Sequence, residues 1–142
     1  MQPKSTANLM EELLQTRRLE DYLETNDVHL LDVMLSEELE KLLENTGLSK
    51  GEVAVRSGLS RVYVYQIFAG QKMPSRDSLL RICFALSLDV REITMLFEHT
   101  GYPVLYPRDR RDSVILFAAS RRKSLLELEE MLEQQQLRGL QK

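Results

Sequence analysis

Apolar residues recur at three- and four-residue spacing along almost the whole chain, and no stretch alternates apolar with polar residues over a strand's length, so the pattern predicts an all-α protein. Leu9, Leu13, Leu19, Tyr22 and Leu23, set among Glu11, Glu12, Glu20, Asp21 and Glu24, predict one amphipathic helix over 8–24. Thr25-Asn26-Asp27 interrupts it, and the apolar connector 28–35 leaves its own conformation open.

From Ser36 the punctuation becomes regular. Ser36 is a candidate N-cap for a helix carrying Leu39, Leu42 and Leu43 that ends near Gly47. Ser49-Lys50-Gly51-Glu52 has capping-box spacing and opens a short second helix to Ser57. Gly58-Leu59-Ser60 then supplies a stop, a plug and a new cap for a third helix, Arg61 to about Ala69. Pro74-Ser75 opens a fourth helix to about Leu86, and Asp89 through Glu92 repeats the box for a fifth, ending at Thr100-Gly101. Beyond Pro103 and Pro107, Asp109 caps a sixth helix over about 110–121, and Ser124 through Glu127 boxes a seventh to about Gln136. The expected organisation is an N-terminal helix and connector (1–35), a five-helix core (36–101) and a C-terminal helical hairpin (102–142).

The 142 residues, 43% of them hydrophobic and 29% charged, suit one core with an appendage. The single cysteine, Cys83, lies in the apolar run Leu79 to Leu86 and reads as a packed thiol; it cannot form an internal disulfide, which fits a reducing, cytoplasmic compartment. No run of about eighteen apolar residues is present, so no membrane association is expected. His29 and His99 are isolated, giving no metal site, and no phosphate loop, serine elbow or acid pair suggests catalysis or a cofactor. The net charge of −3 is unevenly spread: residues 1–48 carry 4 Lys/Arg against 11 Asp/Glu, 49–81 carry 6 against 2, and 107–123 carry 6 against 2. A local basic face matters more for phosphate contact than the overall sign.

Two short helices joined by Ser57-Gly58-Leu59-Ser60 make a helix-turn-helix. The glycine permits a tight turn with positive φ, Leu59 fills the angle between the helices, and Ala54 lets them approach. On the third core helix Val64 and Ile67 face inward, which directs Arg61, Val62, Tyr65 and Gln66 outward. Arginine can bind guanine, glutamine adenine, and valine a thymine methyl, so these four are the candidate base readers. Lys50, Ser60, Lys72 and Arg76 are the candidate phosphate contacts.

The run Leu48 to Ala54, Gly58 to Val64, Gly70 to Ser75 and Leu79 to Leu86, with its Glu, Ala, Gly, Ser and Pro-Ser positions in register, resembles the Xre-type, lambda-repressor-like helix-turn-helix family over about residues 36–100. The resemblance implies a regulator that binds double-stranded DNA with the third core helix. It also places Lys50 where the family usually has glutamine. The phrase Tyr106 to Asp112 is similar to extended bacterial members. Tyr65, Phe68 and Ala69 make the end of that helix unusually apolar, which keeps open an adaptor that binds a protein partner instead of DNA.

Phe68 is expected to pack under the fourth core helix, and Arg108, Arg110, Arg111, Asp109 and Asp112 to form a solvated local ion-pair cluster or helix cap. A homodimer is expected, with the tail as the better candidate for its interface: Ile115, Leu116, Phe117, Leu125, Leu128, Met131 and Leu132 need cover, part of it found on the core, and any stripe left over favours self-association. The N-terminal helix would brace the core.

Overall fold

A computed structural model describes residues 4–27, 30 and 35–142; most of the connector, with His29, lies outside them. Nine helices and no strands occur among the described residues: α1 Thr6–Gln15, α2 Leu19–Thr25, α3 Leu35–Glu44, α4 Lys50–Ser57, α5 Arg61–Phe68, α6 Arg76–Ala85, α7 Val90–Thr100, α8 Arg110–Ser120 and α9 Leu125–Gln134.

The caps explain most of these boundaries. Ser49, Ser60, Ser75, Asp89, Asp109 and Ser124 each accept a hydrogen bond from the backbone N–H three residues on, and at Ser49, Asp89 and Ser124 the glutamate returns the bond. Ser36 is not a cap, because α3 already includes Leu35, whose side chain joins the core. α3 packs on α5 and α7, and α4 on α5 and α6, around Leu39, Val53, Val64, Ile67, Leu79, Ile82, Ile93 and Phe97. Each such aliphatic side chain contributes about 1.5–3 kcal/mol by leaving water. Burial pushes the Cys83 thiol up, so it stays protonated in that interior.

The tail finds its cover on the core. α8 and α9 pack on each other and on α7 and α6, and Ile115, Ala118, Ala119, Leu128, Leu132 and Leu140 complete the same apolar core. Its stripe is therefore mostly spent on its own chain, leaving Phe117 and Leu126 exposed. The arginine-aspartate cluster is not local. Asp109 caps α8, but Asp112 binds Arg76 on α6 at 2.9 and 3.0 Å, and Arg111 binds Asp77 on α6 at 2.9 and 3.1 Å. Burial would raise both aspartates; the facing guanidinium and a backbone amide, Tyr106 for Asp112 and Gln141 for Asp77, outweigh it and hold both below their ordinary value.

The predicted helix over 8–24 is two helices. Thr16 is extended, at φ −71° and ψ 143°, and its hydroxyl donates to the Arg18 carbonyl, so the chain turns back. The hairpin closes through the buried Asn26, which donates to Glu12 at 2.6 Å and accepts from Lys4 at 2.8 Å. Neither α1 nor α2 contains a buried residue, so this hairpin does not brace the core.

Candidate nucleic-acid interface

The turn between α4 and α5 is built by four consecutive residues. Gly58 has φ 72° and its N–H reaches the Ala54 and Val55 carbonyls at 3.0 and 3.3 Å, closing α4 in a left-handed conformation that only glycine takes without strain. The Ser57 hydroxyl donates to the Ala54 carbonyl and accepts from the Leu59 amide, while Leu59 is buried as the plug. Ser60 caps α5, its hydroxyl accepting from the Tyr63 amide at 3.1 Å.

Val64, Ile67 and Phe68 point into the core, which leaves Arg61, Val62, Tyr65 and Gln66 on one outer strip of α5. Val62 is 67% exposed and Tyr65 46%, whereas Gln66 is half-buried. Phe68 is buried, as expected of a core residue. Its ring also carries the Lys50 ammonium 5.7 Å from its centre, and Lys50 pairs with Glu40 at 2.8 Å. This cation at the head of α4 is thus held but still about a third exposed.

Arg61 folds back over the start of α4. A β-carbon on Gly51 would lie 2.8 Å from the Arg61 Nη2, so the absence of a side chain at 51 is what lets the guanidinium rest there. Ser49, Glu52, Val55, Arg56 and Arg61 line the resulting cleft with Gly51, which adds Arg56 as an exposed cation beside the strip. Sequence reasoning missed both. The signal available was the pairing of a helical glycine with a long cation ten residues later.

Of the four expected phosphate contacts, Lys72 is exposed just past α5, Ser60 and Lys50 lie at the two helix starts, and Arg76 is elsewhere engaged. Its guanidinium donates to both Asp112 oxygens and to the carbonyls of Pro103 and Val104. Arg76 is a tail anchor, and the assignment to phosphate is withdrawn because all the bonds it makes would have to break.

A further basic residue was hidden in the apolar run of α6. Arg81 is buried, donating to the Ser57 carbonyl at 2.7 Å, to the Leu140 carbonyl at 2.8 Å and to Glu129 at 3.1 Å. It fastens the end of α4 to the C-terminal segment, directly behind Gly58. A lone arginine within seven apolar neighbours was the sequence signal, since buried charge needs a partner.

Residues 34–95 match the model of a family described as a helix-turn-helix domain. That interval runs from the edge of α3 into α7 and contains the turn at Gly58. The protein is all-α with a helix-turn-helix core, extended at both ends by further helices. No curated protein and no solved structure matches the chain. None of the helices among the described residues is long and apolar enough to cross a membrane.

Proposed function

We propose that this chain is a sequence-specific, double-stranded DNA-binding transcriptional regulator of the Xre, lambda-repressor-like type, non-enzymatic and cytoplasmic. The observation that carries the reading is the outer strip of α5, where a cation, an amide and two apolar or amphipathic side chains stand side by side on a capped helix behind a helix-turn-helix turn. Set in the major groove, Arg61 can bind a guanine edge, Gln66 an adenine edge, and Val62 and Tyr65 a thymine methyl. Arg61 must first lift off Gly51. Lys72 and the amides at the start of α5 beside Ser60 meet phosphates, and Lys50 joins them by exchanging Glu40 for the backbone.

One small domain offers little surface for tight recognition, so two copies would read half-sites about 34 Å apart or a multiple of that. Selection of bound duplexes from a random pool tests this. An enriched palindrome with that spacing is expected; a pool that stays random contradicts it.

A second reading, a protein adaptor with no DNA role, is favoured by one feature: Val55 and Val62 are 82% and 67% exposed around the same turn, with Tyr65 beside them. Such a surface suits an apolar partner.

A further inference from the structure

The non-helical segment 138–141 is held along its main chain by charged side chains from three helices. Arg111 on α8 donates to the Arg138 and Gly139 carbonyls at 2.8 and 2.9 Å, and Asp77 on α6 accepts from the Gln141 amide at 3.0 Å. Glu129 on α9 accepts from the Leu140 amide at 3.2 Å, and Arg81 on α6 donates to the Leu140 carbonyl at 2.8 Å. The Leu140 side chain is buried, and a β-carbon on Gly139 would strike the Glu129 carboxylate. Arg81 is where this segment meets the helix-turn-helix. Its guanidinium serves the Ser57 carbonyl at 2.7 Å, the Leu140 carbonyl and Glu129 at 3.1 Å, so two of its three partners lie in the tail. The Ser57 carbonyl stands at the end of α4, where a helix cannot satisfy its own acceptors. The same guanidinium lies against Gly58, where a β-carbon would sit 2.8 Å from Nη2, and the Lys142 Cε passes 3.6 Å from that point.

We propose that residues 138–141 form a strap that fixes the angle of α5 against α4, with Arg81 the positioning residue that carries strap docking to the turn. The reason is the buried charge. Arg81 is 8% exposed, and a buried guanidinium that loses partners must move toward water to replace them. Undocking the strap takes away the Leu140 carbonyl and the amide that seats Glu129, so Arg81 follows and releases the Ser57 carbonyl. The turn then loses its tie to α6, and the side chains of α5 lose the fixed aim that base reading requires. Phosphate contact survives. Lys50 pairs with Glu40, and Arg56 and Lys72 stand exposed outside this network. The inference deepens the proposed function, on which its DNA readout rests, whereas the coupling of strap to turn is measured without DNA.

Amide hydrogen exchange of the full chain and competition between a selected and a random duplex test it together. Leu140→Ala removes the strap's apolar anchor, and Arg81→Lys keeps the charge but lacks the fork that spans two carbonyls. Each should speed exchange at the Gly58 and Leu59 amides at least about tenfold. Each should also lower the preference for the selected over the random duplex at least about tenfold, while the random-duplex affinity, retained, shows that the chain is folded. Ile93→Val, which removes a buried methyl from α7, controls for general loss of stability and should leave turn exchange and duplex preference unchanged. Turn exchange unaltered by both Leu140→Ala and Arg81→Lys overturns the strap. Faster exchange with undiminished preference overturns the positioning role and leaves a tie that only stabilises. If the unaltered chain binds no duplex, the proposed function fails, and exchange at Gly58 and Leu59 decides the strap by itself.

Discussion

At the residue scale, the α5 strip, entering the major groove as proposed, would offer Arg61 and Gln66 to bases and leave contact with the DNA backbone to Lys72 beside it. Arg61→Ala and Gln66→Ala should each relax preference at one base position and cost about 1–3 kcal/mol on a selected site, measured by competition among single-base variants of that site. Lys72→Ala should weaken selected and random duplexes alike and lower the slope of log affinity against log salt by about one. Arg76→Ala should act differently. It leaves Asp112 buried without its cation and should cost about 3 kcal/mol of folding stability, visible in denaturant unfolding, while random-duplex affinity of the folded fraction stays constant. A Lys72-like signature for Arg76→Ala would return that arginine to the phosphate set. The outward positions of α5 were legible in the sequence because helical periodicity fixes them. Arg76 was not, because its partner is 36 residues away in a helix that nothing in the local pattern connects to it.

At the element scale, caps and turns made the middle of the chain readable. A serine or aspartate cap, completed at α4, α7 and α9 by a glutamate three residues on, starts a helix by local hydrogen bonds, so α4 to α9 begin where the sequence places them. Amphipathic spacing carries no such information about continuity. A stripe persists equally well through one straight helix or through two folded back at Thr16, and the Thr16 turn with the Lys4, Glu12 and Asn26 network decides between them. Gly58→Ala should destabilise by about 1–2 kcal/mol, read as a lower Tm, since its β-carbon would meet positive φ and the anchored Arg81 together. The ties of the tail also set an acid limit. Asp77 and Asp112 are held below 3.8 in the folded chain, so the stability they contribute is present above that value and is lost as pH falls through their lower folded values. Asp77→Asn should flatten the acid side of a stability-against-pH curve; an unchanged slope would mean the Arg111 pair does not operate in solution.

At the scale of the whole molecule, the tail belongs to the core and the N-terminal hairpin does not. How much of the tail's stripe the core would take was not legible, because a five-helix unit looks finished in sequence; the long-range ties of Arg76, Arg81 and Arg111 show how α6 was shaped to receive it. The helix-turn-helix is thereby backed by a second layer, with Arg81 joining the end of α4 to the carbonyl of Leu140. Such backing serves a reading helix or an apolar docking helix equally, and the two differ in their response to ions. Affinity of the full chain for a random-sequence duplex, measured by fluorescence anisotropy across about 50–200 mM salt, separates them. Log affinity should fall linearly with log salt at a slope of about −0.9 for each phosphate neutralised, hence roughly −2 to −3 for Lys50, Lys72 and Arg56 acting together. No saturable binding at about 50 mM salt, or an affinity flat across the range, would contradict DNA recognition by this protein.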